Sequence, residues 1–254
     1  MRVQAALVVA VCLGAASAVR ADGLVYRLPA DGTWSRYSVK QTMTFPKGEK
    51  MTTEGTLTLA SVGQEKAKGE ACRWVEIVFE PKQPGKGGAT KSVFKALIPE
   101  KHLRKGGDPL GHWVKGWVKL GDQEPQRLTK EMLSNPAHML NLLVSNPLQG
   151  TKALDKKVIG TKLGKLTCKG LSGSLTLKGA AVRGEDGKVT SGDVKVRVRN
   201  YFHDKAPFGV ASSRMDVEYP DLKGGKNAVE AVLTLEDTLS EVGTGAKSAL
   251  PDQK

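Results

Sequence analysis

Histidine and cysteine are the side chains of this sequence with the widest chemistry, and their spacing argues against metal binding. The four histidines are His102, His112, His138 and His203. None lies two or four positions from another histidine or from a cysteine, which is the spacing that zinc sites commonly use. We therefore expect no metal site and no cofactor.

His203 and Asp204 form the one pair that suggests acid–base chemistry, since an aspartate beside a histidine can orient the imidazole. No nucleophile is marked out with them. The sequence contains no G-x-S-x-G motif. Cys72 and Cys168, the two cysteines that follow the N-terminal apolar segment, fall within apparent strands. The sequence therefore predicts no catalytic residue and a protein that is not an enzyme.

The N-terminus has the pattern of a secretory signal peptide. MRVQAALVVAVCLGAASAVRADG begins with one arginine, continues with an apolar run and ends in small residues. We predict a signal peptide over 1–21, with cleavage after Ala18 as the alternative, and a single β-rich domain over 22–254. The apolar run is shorter than the ~20 residues of a membrane-spanning helix. The mature protein is thus expected to be exported, periplasmic or extracellular, and soluble.

Export would leave two cysteines, Cys72 and Cys168, in a compartment where disulfides form and persist. We predict a disulfide between them. Closing a loop of ~100 residues would stabilise the fold by about 4–5 kcal/mol on the chain-entropy model. The alternative is a pair of buried free thiols that act as small hydrophobes.

The chain is strongly basic. Its formal net charge is +13, and removing 1–21 takes away Arg2 and Arg20 and leaves +11. Such a charge suits an anionic envelope surface or an acidic polymer. The lysines are nevertheless scattered, with no run of five basic residues, and lysines at sheet edges also prevent edge-to-edge association. We expect no nucleic-acid partner, and the sequence does not indicate an oligomeric state.

Alternation of apolar and polar residues dominates the chain and predicts strands with one buried face. The first four predicted strands are 37–45, 51–62, 72–80 and 92–98, joined by short turns as in an antiparallel meander. Seven apolar side chains of these strands are predicted to face inward and to line a cavity: Val39, Met43, Leu57, Leu59, Val75, Ile77 and Phe79.

The middle of the chain departs from this pattern. Asn135 and Pro136 precede AHMLNLLV, which predicts a short helix with an Asn cap and a proline at its first position. Strands then return over 166–169, 172–178, 193–202, 210–218 and 228–236. We expect the helix to pack its apolar residues against the concave face of the sheet.

Trp113 and Trp117 are four positions apart with basic residues between them. On one strand they would share a face, which predicts two rings side by side on a half-buried sheet surface. The alternative is a stacking platform for carbohydrate or nucleic acid.

LGKLTCKG at 163–170 and APFGVASSRMDVE at 206–218 resemble a recurring pattern in secreted bacterial proteins related to the lipoprotein-localisation-factor half-barrels, the LolA/LolB-like superfamily and its uncharacterised domains. The resemblance implies a mainly β fold, a strongly curved antiparallel sheet with one or a few short helices on its concave face. It also implies that Pro207 and Gly209 form a corner of that sheet. The alternative for these two residues is an ordinary hairpin turn.

Two functions are compatible with these observations. The first is an exported binding protein that holds an apolar ligand, such as a lipid or acyl chain, in the half-barrel. The second is a structural or interaction protein of the envelope whose basic surface contacts acidic polymer or membrane. Fold analogy alone does not decide between them.

Overall fold

The computed structural model describes residues 20–21, 23–45, 48–83, 90–130, 132, 144, 147–183, 189–220 and 229–250. These residues form one antiparallel sheet. In chain order its strands are β1 (Arg20–Ala21), β2 (Trp34–Thr44), β3 (Lys50–Ala67), β4 (Glu70–Pro81), β5 (Ser92–Pro99), β6 (Lys115–Leu120), β7 (Gln126–Arg127), β8 (Pro147–Thr161), β9 (Gly164–Arg183), β10 (Val189–Phe202), β11 (Val210–Pro220) and β12 (Val229–Gly243).

The sheet consists of two meanders joined side by side. Its strand order is β1-β8-β9-β10-β11-β12-β2-β3-β4-β5-β6-β7. Strands β2 to β7 follow one another, strands β8 to β12 do the same, and β12 pairs with β2 along its length. The last strand therefore unites the two halves, and the mainly β, antiparallel architecture predicted from the sequence is confirmed.

Local sequence explains the hairpins of the first meander. In β2 and β3 the apolar residues alternate with threonine and charged residues, so one face of each strand is buried. The turn between β3 and β4 has Lys68 at φ 52° and Gly69 at φ 80°. Positive φ at both central residues is the geometry of a tight two-residue hairpin, and glycine adopts it without steric cost.

The sheet is strongly curved but remains open. The turn between β8 and β9 meets β12, which lies three strands away in the sheet order: the Lys162 amide donates to the Ser240 carbonyl at 3.2 Å. Within the described strands, β1 and β7 are the two edges, and no pairing joins them. This is the half-barrel expected from the resemblance.

Two clusters of apolar side chains cover the sheet. The larger combines residues of β2 to β5 with the N-terminal Leu24 and Val25 and with Leu128 and Val144 of the segment between β7 and β8. The smaller joins the valines of β10 to leucines of β9 and β12. We call the face that carries Val39 and Leu57 the inner face of the sheet.

Pro207 and Gly209 lie in the loop that joins β10 to β11, so they form a hairpin connection and not a corner within a strand. Gly209 has φ 91°, which strains any other residue. The N-terminal segment holds this loop: the Tyr26 amide donates to the Phe208 carbonyl at 3.0 Å, and the Arg27 guanidinium donates to the Ala206 carbonyl at 2.7 Å. The corner interpretation is therefore wrong.

The predicted signal peptide and the predicted short helix fall mostly outside the described residues. Arg20 and Ala21 pair with β8, and Val144 is helical and buried. A 3-10 turn, Glu100–His102, follows β5. Among the residues that the structure describes, no helix has the length and apolar character needed to cross a membrane.

The C-terminal segment covers part of the outer face of β4 and β5. The Ser248 hydroxyl and the Ala249 amide donate to the carboxylate of Glu76 at 2.7 and 2.9 Å. The Lys95 ammonium donates to the Leu250 carbonyl at 3.4 Å. Glu76 and Lys95 are buried polar residues whose charges are satisfied beneath this cover.

Candidate functional site

A cavity of about 430 Å³ lies against the inner face of the first meander. Its volume falls within the roughly 300–1,000 Å³ of small-molecule sites. Six apolar side chains on five adjacent strands, β2 to β6, form its walls: Val39, Leu57, Ile77, Phe79, Phe94 and Val118. The concave sheet therefore provides a largely apolar compartment, of the kind that would exclude water from an alkyl chain.

The segment after β6 also lines the cavity. Gln123, Glu124 and Gln126 lie at its exposed rim, while Leu128 is buried beneath them. The Leu128 amide donates to the Gly116 carbonyl at 2.8 Å, which fixes this segment to β6. The exposed part of the cavity wall thus combines these polar side chains with Leu120 and Met132, and the buried walls are largely apolar.

The seven residues predicted to line a cavity do not all reach it. Val39, Leu57, Ile77 and Phe79 line it. Leu59 and Val75 are buried in the larger apolar cluster, and Met43 packs against the smaller one. The difference arises because a strand crosses the whole inner face, whereas the cavity occupies one part of it.

Asp237 of β12 is the unexpected member of the cavity wall. Its side chain is 1% exposed, and its Oδ1 atom has no hydrogen-bond partner among the described residues. It stands opposite Val39 on β2 and Ser213 on β11. A carboxyl group is therefore inserted into a row of inward-facing leucines: Leu233, Leu235 and Leu239.

Burial dominates the electrostatics of this carboxyl group. It raises the pKa of Asp237 to about 7, because a buried carboxylate loses its hydration. Burial also raises the pKa of Tyr37, and the charge of Asp237 adds to the effect. The Tyr37 hydroxyl donates to the Val210 carbonyl at 3.0 Å, so its proton is not available to Asp237.

The sequence held a signal for Asp237. The alternation Leu233, Leu235, position 237, Leu239 assigns the aspartate to the inner face. The predicted last strand ended at residue 236, one position short, whereas β12 continues to Gly243. A carboxylate at an inward position among apolar residues would have identified Asp237 as a candidate site residue.

A second depression, of about 550 Å³, is lined by charged residues of several strands. Five cations border it: Lys40, Lys82, Lys157, Arg199 and Arg214. Glu54 and Glu236 are the carboxylates in its wall. Lys82 pairs with Glu54 at 2.6 Å, and Arg214 pairs with Glu236 at 3.0 Å. Cations therefore outnumber acids in this depression, which gives part of the basic charge a common location.

Cys72 and Cys168 are buried free thiols, so the predicted disulfide is wrong. Cys72 lies on β4 and Cys168 on β9, and five strands separate β4 from β9 in the sheet. Burial raises the pKa of both thiols. They behave as small hydrophobes, which is the common fate of buried cysteine.

His203 and Asp204 do not form a catalytic pair. The His203 Nδ1 atom accepts a hydrogen bond from the Lys205 amide at 3.0 Å, and the Asp204 carboxylate is exposed near Arg27. His102 and His112 stack with their ring centroids 3.8 Å apart. Within the described part of the chain, no group of three or more histidine, cysteine or acidic residues could hold a metal ion.

The two tryptophans do not lie side by side on one strand. β6 begins at Lys115, so Trp113 precedes it and packs against the larger apolar cluster. Trp117 contacts Trp74 instead, with ring centroids 5.6 Å apart. The prediction of a shared face was wrong because it assumed that the strand started before Trp113.

No protein-family model and no curated protein matches this chain. Solved structures to which it is similar include a LolA superfamily protein from Nitrosomonas europaea, with 13% identity, a TM-score of 0.31 and coverage of 90% of this chain and 91% of that one. A protein described as an outer membrane lipoprotein-sorting domain, from Vibrio parahaemolyticus, has 10% identity, a TM-score of 0.30 and coverages of 87% and 88%.

A beta-barrel-like protein of a domain of unknown function from Brucella abortus has 12% identity, a TM-score of 0.24 and coverages of 86% and 99%. The LolA-like and uncharacterised domains named by the resemblance in the sequence are thus also found among similar structures. Likenesses at these scores carry no information about ligand or activity.

Proposed function

We propose that this protein is an exported, non-enzymatic binding protein that holds an apolar ligand, such as a lipid or acyl chain, within its half-barrel. The observation that carries the proposal is the cavity of about 430 Å³ with walls of Val39, Leu57, Ile77, Phe79, Phe94 and Val118. Burying an alkyl chain in such a compartment gains about 0.8 kcal/mol for each methylene group. A largely apolar lining with a few polar groups is also the usual composition of a small-molecule pocket.

Filling the cavity tests this function. Val118→Trp introduces an indole into the wall formed by β6. The matched control is Val158→Trp, the same exchange at a valine of β8 that is 58% exposed. Binding of a fluorescent apolar dye, and lipid retained by protein purified from its own envelope, would be measured by fluorescence titration and native mass spectrometry.

We expect Val118→Trp to abolish dye binding and lipid retention, and Val158→Trp to preserve both. Equal binding by the two variants would contradict a ligand in this cavity. Absence of dye binding and of retained lipid in the unaltered protein would contradict the function as a whole.

A second function, contact with acidic polymer or an anionic envelope membrane, is supported by the depression that five cations border. Charge reversal of Lys40 and Arg199 should weaken binding to vesicles of anionic lipid. Reversal of the exposed Lys66 at the end of β3 and Lys68 in the following turn should not. Binding should also fall steeply between low and physiological salt. Vesicle binding that does not depend on the salt concentration, or that neither pair of charge reversals weakens, would contradict this role.

A further inference from the structure

We infer that the ligand of the cavity carries a hydrogen-bond donor, a hydroxyl or amine at the end of an alkyl chain, which pairs with the carboxyl group of Asp237. The inference rests on the proposed function, because it names the chemical class of the ligand that the same cavity takes. It concerns the part of the cavity wall that holds Asp237, whereas the apolar walls contact the alkyl chain.

Asp237 lies in the part of the cavity wall that β12 and β2 form. It lines the cavity with Leu235, Val39 and Gln41, whereas the exposed Gln123 and Glu124 follow β6, which is five strands from β12 in the sheet order. A ligand whose alkyl chain lies along the apolar strands between them can therefore place one terminus at this carboxyl group.

One carboxyl oxygen of Asp237 lacks a hydrogen-bond partner among the described residues. Oδ1 of Asp237 is buried and accepts no hydrogen bond from the described residues. Buried polar groups in folded proteins are nearly always paired, since desolvation without a hydrogen bond is costly. A donor brought by the ligand would supply the missing partner.

The side chains around Asp237 do not donate a hydrogen bond to its Oδ1 atom. The Tyr37 hydroxyl is committed to the Val210 carbonyl at 3.0 Å. Ser213 lies opposite Asp237 on β11 and Gln41 lies in the same cavity wall, but neither donates a hydrogen bond to Oδ1. Among the described residues of the cavity wall, Glu124 is the other ionisable group, and it lies at the rim.

The opposite chemistry is disfavoured at the same position. Above a pH of about 7, where Asp237 is ionised, the carboxylate of a free fatty acid would face it as a like charge, which costs free energy in a poorly hydrated site. A methyl ester of the same chain length avoids this repulsion but has no donor. The cavity should therefore rank an alcohol or an amine above an ester of equal length.

Affinities of the purified, delipidated protein for dodecanol, dodecylamine and methyl dodecanoate test the inference by displacement of the apolar dye. At about pH 8, where Asp237 is ionised, we expect the unaltered protein to bind dodecanol or dodecylamine at least about tenfold more tightly than methyl dodecanoate, as a hydrogen bond to a carboxylate implies. Asp237→Leu should abolish this preference while it keeps or improves binding of the ester. Asp204→Asn, the loss of an exposed carboxylate outside the cavity wall, should leave the preference unchanged.

Asp237→Asn distinguishes the two donors, because it keeps an acceptor and loses the charge. If the unaltered protein prefers dodecanol and Asp237→Asn retains that preference, the donor is a hydroxyl; if the unaltered protein prefers dodecylamine and Asp237→Asn loses that preference as Asp237→Leu does, the donor is an ammonium. Equal affinities for all three probes in the unaltered protein, or a preference that survives Asp237→Leu, would overturn the inference and leave the apolar cavity standing. Absence of any binding would instead refute the proposed function itself.

Discussion

The stability of this protein should fall with rising pH because of one buried carboxyl group, and Asp237→Asn should remove the effect. Burial raises the pKa of Asp237 from 3.8 to about 7 in the folded state. Between these two values the folded protein keeps a proton that the unfolded chain releases. By linkage, the free energy of unfolding must then decrease as the pH rises through this window.

The magnitude follows from the two pKa values. One pKa unit corresponds to 1.36 kcal/mol, so the full difference amounts to about 4 kcal/mol. Most of this loss lies above about pH 5, where other carboxylates are already ionised, and should amount to roughly 2–3 kcal/mol between about pH 5 and about pH 8. The stabilising contribution of the proton is complete below the unfolded pKa and is gone above the folded one.

Urea unfolding followed by tryptophan fluorescence at several pH values would measure the effect. The difference in unfolding free energy between Asp237→Asn and the unaltered protein should increase by roughly 2–3 kcal/mol, in favour of the variant, from about pH 5 to about pH 8. Asp204→Asn, which removes an exposed carboxylate, serves as the control and should not change the pH dependence. The reasoning is refuted if Asp237→Asn follows the same pH dependence as the unaltered protein.

Three further predictions concern the core. Denatured, unreduced mature protein should expose two reactive thiols in a thiol titration, since both cysteines are free, and their complete absence would reveal a disulfide. Leu59→Ala should lower the free energy of unfolding by about 2–5 kcal/mol, because the side chain is fully buried, whereas exposed Val158→Ala should change it by less than about 0.5 kcal/mol. Arg73→Met should cost about 1–3 kcal/mol in urea unfolding, because buried Arg73 contacts Glu100 at 2.8 Å and Asp31 at 3.5 Å; a loss below about 0.5 kcal/mol would show that the pairs contribute little.

Sequence patterns found the strands in which one face is buried. The alternation over 37–45 and 72–80 corresponds to β2 (Trp34–Thr44) and β4 (Glu70–Pro81) with errors of a few residues at the ends. β8 (Pro147–Thr161) was missed because most of its side chains are exposed on both faces, so no alternation marks it. Two predicted strands over 166–178 proved to be one, β9 (Gly164–Arg183), since Gly170 and Gly173 do not interrupt it.

By itself, the sequence determined the fold class and the inward-facing residues of the first meander, because the side-chain period of a strand is a local property of the backbone. The pairing of β12 with β2, the absence of the disulfide and the position of the cavity were decided by the tertiary structure. These features depend on which strands become neighbours, and contacts between distant residues leave no local pattern. Asp237 depends on both the sequence and the tertiary structure. Its inward position follows from the alternation of residue types, whereas its burial without a hydrogen-bond partner for Oδ1 follows only from the sheet that encloses it.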